Sequence, residues 1–167
     1  ISTLFPYTTL FRSPTTALDV IVQAQIINLI KDLKVEHGIS YIFITHDLAV
    51  EAEVADRIMV MYTGKAAEIG PNERIFGDCS TGAGPAHPYT RKLLASTPHV
   101  RRRVNELAFI PGSPPDLAAL PVGCRFAPRC EYARGRCRAS EPPLTEIGPG
   151  HMVACWKAME DSDYERS

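Results

Sequence analysis

Ser40-Tyr41-Ile42-Phe43-Ile44-Thr45-His46-Asp47 is the stretch on which the fold turns. Its first six residues form a short, continuous, β-rich run that is mostly apolar, and a histidine and an aspartate follow directly. Placed after a helical pattern, such a run predicts a strand buried on both faces of a parallel sheet. That helical pattern lies upstream, where Val22, Ile26, Leu29, Ile30 and Leu33 recur at i, i+4, i+7, i+8 and i+11 and make one apolar stripe. Asp19 is placed to cap the start, and Gly38, just after His37, to stop it. Downstream, Leu48 to about Ala55 reads as a second helix. Arg57 to Tyr62, a Thr63-Gly64 turn and Lys65 to Ile69 read as a β-hairpin, and Gly70-Pro71 breaks the chain before a short helix near 72–76. Helix, strand, helix, strand is the grammar of an α/β layer.

Composition bounds what this layer can belong to. The chain has 167 residues, 45% hydrophobic and 22% charged, enough for one domain or one with a small appendage. Eighteen Lys+Arg against 19 Asp+Glu give a net charge of −1, which argues against a general nucleic-acid binder or a polybasic membrane-surface protein. No run reaches the roughly 18 apolar residues that a spanning helix needs. Twelve of the 14 prolines lie from Pro71 onward, so the two halves are built differently.

Residues 1–13 stand apart. The only charge in Thr3 to Ser13 follows its apolar residues, so a secretory signal is not expected, and no clean period runs through it. All eleven residues resemble the conceptual translation of a common short-read sequencing adapter. The expectation is that 1–13 are non-native and that the natural sequence, part of a longer gene, enters at Pro14.

Beyond residue 76 the periodic patterns thin out. Gly77 to Gly84 reads as a loop, and His87 to Ala95 as a short helix with Pro88 in its first turn. Arg101 to Arg103 read as a solvated face. Eight prolines between Pro111 and Pro149 exclude long helices and central strands, and Met159 to Ser167 reads as a frayed acidic tail. Such a segment needs something other than periodic packing, and cysteines can supply it. Cys124, Cys130, Cys137 and Cys155 are separated by five, six and seventeen residues. Arg125, Arg129, Arg134, Arg136 and Arg138 surround the first three and are expected to favour thiolates, the metal-binding form. The residues alone leave open an iron–sulfur cluster, a structural zinc, two disulfides or plain buried thiols. Cys79, in the loop, reads as a bystander.

In the first half, chemistry centres on His46. Just past the carboxyl end of a buried strand, where open α/β sheets place ligand-contacting groups, its imidazole can accept a proton or bond an anion's oxygen. It can equally cap the next helix. A hydrolytic relay with Asp47 is disfavoured, because adjacent strand residues point to opposite faces.

Pro14-Thr15-Thr16-Ala17-Leu18-Asp19 followed by Ile44-Thr45-His46-Asp47 resembles the D-loop and H-loop of ABC-transporter nucleotide-binding domains. Val60 to Lys65 with Glu68-Ile69-Gly70 resembles the strands that follow in those domains. The resemblance implies that His46 is the switch histidine contacting the γ-phosphate of ATP, and that Asp19 reaches across an ATP-sandwiched dimer. The family's Asp-Glu pair is not found before Pro14, where Arg12-Ser13 stand, and no G-x-x-x-x-G-K-[ST] phosphate loop occurs in the 167 residues. The chain by itself is therefore expected to be inactive, since phosphoryl transfer needs that cradle, its Lys and Mg²⁺.

Ala86-His87-Pro88-Tyr89-Thr90, Ile110-Pro111-Gly112-Ser113, Gly123 to Cys130, Pro142-Pro143-Leu144, Gly148 to His151 and Val153-Ala154-Cys155 resemble the C-terminal extension of oligopeptide/dipeptide importer ATPases. The fold implied is α/β, a partial P-loop NTPase sheet layer over 14–85 followed by a Pro/Cys-rich irregular extension over 86–156 and an acidic tail over 157–167. Implied with it are ATP and Mg²⁺ in the complete protein and a 4Fe–4S cluster on Cys124, Cys130, Cys137 and Cys155. Zinc is the alternative metal, with His151 replacing a ligand, and a cytosolic ATPase argues against disulfides. The implied partners are a second ABC ATPase subunit, transmembrane permease subunits and, indirectly, a peptide-binding protein, with no nucleic acid. The implied location is the cytoplasmic face of the membrane. The competing reading is a stand-alone iron–sulfur or zinc-binding module without ATPase activity.

Overall fold

Two short strands run parallel at the front of the chain. Thr8–Arg12 (β1) pairs with Ser40–Ile44 (β2), Thr8 opposite Ser40 and Arg12 opposite Ile44. The computed structural model describes residues 8–12, 20–79, 84–97 and 109–165, in two units that divide between Ala55 and Asp56. Pro14 to Asp19 and Arg101 to Arg103 lie outside the described residues.

In the first unit, Val20–His37 (α1) ends at Gly38, whose φ of +60° is the left-handed stop that glycine accepts without strain. Leu48–Val54 (α2) follows β2. The helices pack against each other, with Lys31 bonded to Glu53 at 2.7 Å. Burial corrects two expectations. The inward side of α1 is Ile27 and Ile30, while Val22 and Leu29 of the predicted stripe are exposed. Strand β2, expected to be covered on both faces, exposes Ile42 and Ile44. Among the described residues the parallel sheet has two strands.

The second unit is organised by an antiparallel sheet. Arg57–Tyr62 (β3) and Lys65–Pro71 (β4) form the predicted hairpin, and a bulge follows Val60. Thr63 at φ +45° and Gly64 at φ +81° make the two-residue turn that matches strand twist. A β-branched residue there is strained, and the Thr63 carbonyl is held by the Arg125 guanidinium. Asn72–Ile75 (α3) and Pro88–Ala95 (α4) follow, each beginning where the sequence breaks predict.

The sequence patterns gave no sign of the next strands. Thr145–Gly148 (β5) and His151–Val153 (β6) form a second hairpin, and β6 lies against β4, with Glu68 opposite Val153 and Ile69 opposite Met152. The spatial order is β3-β4-β6-β5. The second unit begins at Asp56, and the far end of the extension completes the sheet that the hairpin starts. Between them, residues 109–130 are mostly irregular, with one 3-10 turn at Ala127–Arg129, and Gly135–Ala139 (α5) is a single short helix. The expected frayed tail is a helix, Trp156–Glu165 (α6), on which Ala158 is buried. Its start is pinned by the Trp156 indole, which donates to the Ser140 carbonyl at 3.2 Å and lies 3.6 Å beneath the Arg136 guanidinium. Alternation on β3 turns Ile58, Val60 and Tyr62 inward, where Ile75, Phe76, Ala67, Phe126 and Val153 complete the core.

Candidate functional site

His46 is exposed in the three-residue turn between β2 and α2. Its neighbours fix the turn. The Thr45 hydroxyl accepts from the Asp47 N–H at 3.0 Å, and Asp47 Oδ1 accepts from the N–H groups of Ala49 and Val50. Asp47, not His46, therefore caps the helix, and its carboxylate is engaged there. One turn on, burial and the Asp47 charge push the Glu51 carboxyl up to about 7. The imidazole is left as the polar group presented at the carboxyl end of a parallel strand, able to bond an anionic oxygen. Asp19 lies outside the described residues, so no structural position accompanies its expected role.

The second unit gathers the four predicted cysteines. Cys124, Cys130, Cys137 and Cys155 are all free thiols, partly buried, and line one cavity together with Phe126 and Trp156. Cys79 is exposed and does not line it. Among the described residues, no trio of His, Cys, Asp or Glu side chains is arranged to hold a metal ion. The thiols also depart from the electrostatic expectation. Burial, reinforced by neighbouring thiols, raises Cys124 and Cys130 and pushes Cys155 up to about 11. The nearby arginines do not offset this because they are committed elsewhere. Arg125 serves Thr63, and Arg129 spans the Ile110 and Pro111 carbonyls at 3.0 and 2.9 Å and reaches the Tyr62 hydroxyl. Arg134 pairs with Glu160, Arg136 covers Trp156, and Arg138 is exposed.

A third group was not anticipated. Glu68, fully buried on β4, meets His151 Nε2 on β6 at 2.7 Å and accepts the N–H groups of Ala86 and His87 at 2.6 and 3.2 Å. Burial alone would raise this carboxyl. The His151 ring, the nearby Thr90 side chain and the Ala86 N–H outweigh it and leave Glu68 below its ordinary value. His87, also buried, accepts the Tyr89 N–H at Nδ1 and caps α4, and burial lowers its pKa to about 4 despite Glu68 nearby. His151 is thus the partner of a structural carboxylate and does not line the thiol cavity. The signal for Glu68 was its register: it pairs with inward-facing Val60, which turns its side chain to the core. Gly70 is part of the same arrangement, since a Cβ there would stand 3.1 Å from the His151 ring and 3.3 Å from Ile75.

No helix among the described residues is long and apolar enough to cross a membrane. Residues 67–137 match the family described as oligopeptide/dipeptide transporter, C-terminal region. The chain is 50% identical over 148 residues to a probable peptide ABC transporter ATP-binding protein of Sinorhizobium fredii, covering 88% of this chain and 42% of that one. It is 45% identical over 148 residues to the oligopeptide transport ATP-binding protein OppD of Escherichia coli, covering 89% and 42%. A putative peptide import ATP-binding protein of Brucella ovis is 44% identical over 153 residues, covering 88% and 44%. The chain spans less than half the length of these relatives.

Proposed function

Because the chain belongs to the family of peptide ABC transporter ATP-binding proteins, we propose that it is the rear portion of a subunit that couples ATP binding and hydrolysis to peptide import. The observation that supports this most directly is the exposed His46 at the carboxyl end of β2, in a turn fixed on both sides by Thr45 and Asp47. In the complete subunit, Mg²⁺–ATP supplies the phosphoryl group and the charge neutralisation that its transfer needs. From this chain, the His46 imidazole bonds a γ-phosphate oxygen and helps hold the attacking water. Asp47 keeps that turn closed by capping α2, and Asp19 reaches toward the site of a second ATP-binding subunit. The subunit docks on transmembrane permeases at the cytoplasmic face of the membrane, and a peptide-binding protein delivers substrate to them. The chain alone lacks the phosphate loop and does not turn over ATP.

A full-length subunit in which residues 14–167 replace the corresponding part of the Sinorhizobium relative tests this reading. We expect Mg²⁺-dependent ATP hydrolysis that falls roughly 10²–10³-fold in His46→Ala, the range for losing one charge-stabilising contact. Undiminished turnover in that variant overturns the role of His46.

The extension supports a second reading, a metal centre on Cys124, Cys130, Cys137 and Cys155, because all four thiols line one cavity. Among the described residues no trio is set to share one metal ion, which bears equally on a four-iron cluster and on zinc. A four-iron cluster would be held by these four thiols and would cross-link a segment with little periodic core of its own, with zinc as the alternative metal.

A further inference from the structure

The backbones that carry two of the four thiols are in direct contact. The Cys124 N–H donates to the Cys137 carbonyl at 2.8 Å. A Cβ on Gly123 would collide with the carbonyl oxygens of both Cys137 and Arg138, so residues 123–124 lie flat on the end of α5. That bond and the Gly123 contact hold the two backbones side by side, and a disulfide needs Cα atoms no more than about 7 Å apart. Both side chains line the same cavity, and both are free thiols. Cys130 and Cys155 share the cavity without such a backbone contact among the described hydrogen bonds.

We propose that Cys124 and Cys137 are a redox-convertible pair that closes to a disulfide on exchange with a small oxidised thiol. The inference goes beyond the importer reading and does not depend on it. One thiolate of the pair attacks a sulfur of the external disulfide, forming a mixed disulfide and releasing one thiol. The second protein thiolate then displaces the other. Two S–H bonds are lost from the protein, one S–S bond forms in it, and the external disulfide is reduced to two thiols. Closure staples the start of the Cys124–Cys130 segment to α5 and removes two of the four cavity thiols from any metal. Disulfides are rare in reducing compartments except as transient, redox-responding bonds, and a pair with backbone contact already made fits that use.

The test uses the full chain, reduced, stripped of metal and incubated without oxygen with oxidised glutathione. Tryptic peptides are then mapped by mass spectrometry without reduction. The expected product is two hydrogens lighter, links the Cys124 and Cys137 peptides, and reverts with dithiothreitol. Cys137→Ser is expected to trap a glutathione adduct on Cys124, whereas Cys79→Ser leaves the link intact. Stable glutathione adducts on both residues of the unaltered chain, or a dominant link through Cys130 or Cys155, overturn the proposal, and mapping the unaltered chain needs no variant to fold. Iron and sulfide loading separates this from the metal reading. The reduced chain is expected to take up iron and the oxidised chain not. If the reduced chain takes up none, the metal reading fails and the peptide link still decides the present one. Full uptake by the oxidised chain overturns it.

Discussion

Both units expose large apolar side chains, but they differ in what they bury. In residues 20–55, Ile21, Val22, Leu29, Val35, Ile42 and Ile44 all face outward, and the described interior is a small set around Ile27, Ile30, Leu48 and Val50. In residues 56–160, Ile75, Phe126 and Val153 are 1%, 2% and 0% exposed, and even a carboxylate and two histidines are enclosed. The first unit presents the exposed His46 at its edge, while the second encloses a polar cluster and leaves Met59, Met61, Phe109, Leu117 and Val122 exposed. Stability in the second unit rests on the enclosed core around Ile75, Phe126 and Val153 and on the buried Glu68–His151 pair. In the first it rests on the β1–β2 pairing, the Asp47 cap of α2 and the contact of α1 with α2, and the turn around His46 is at the surface.

The sharpest way to break that contrast is to hollow the second unit. Phe126→Ala removes the ring packed against Tyr62, Tyr89 and His87 and is expected to cost about 3–5 kcal/mol. Urea unfolding followed by Trp156, the single tryptophan, reports that unit, and amide exchange in α1 and α2 should not change. An unchanged urea midpoint would mean that the ring cluster does not hold the unit together.

Acid probes the same unit with a smaller effect. His87 is held neutral with a folded pKa of about 4, so its contribution is complete above its unfolded value near 6.5 and is lost as pH falls toward 4. The loss is about 3 kcal/mol at most. Glu68, lowered in the folded state, adds to the slope below its unfolded value of 4.5. His87→Asn, which can still cap α4, is expected to flatten the stability profile between pH 6.5 and 4. A profile as steep as that of the unaltered chain would dismiss His87 as its source.

The first unit should respond in the opposite sense. With Glu51 raised to about 7, its contribution is complete below 4.5 and is lost as pH rises through 7. Glu51→Gln is expected to stabilise α1 and α2 at pH 8 by on the order of 1 kcal/mol, discounted for partial exposure, and to change nothing at pH 4. Amide exchange of Val50 and Ala55 at the two pH values is the check. Equal protection in both proteins at pH 8 removes Glu51 from the account.

What could be read beforehand followed from periodicity. Helix α1, strand β2, the β3–β4 hairpin and the start of α4 each carry a repeated apolar spacing or a Gly, Pro or Asp stop, and each stands where those signals fall. The position of His46 was legible for the same reason. Strands β5 and β6 were not, because four and three residues around Pro149 are too short to show alternation. Helix α6 was hidden by its acidic composition, since the indole contacts that anchor it join residues 136, 140 and 156. Chain proximity also misled for the thiols. Arginines adjacent in sequence direct their guanidinium groups to carbonyls, a carboxylate and a ring, so burial decides the pKa.

One consequence follows from the pairing of Glu68 with His151 across 83 residues of chain. During synthesis the carboxylate leaves the ribosome long before its histidine exists, on a strand whose other edge also awaits β6. The sheet that the hairpin starts is not completed until β6 has emerged, which makes this a slow, late-closing topology. A nascent chain that stops short of Val153 carries an unpaired charge on an open strand edge, a state that quality-control proteases and neighbouring chains can recognise.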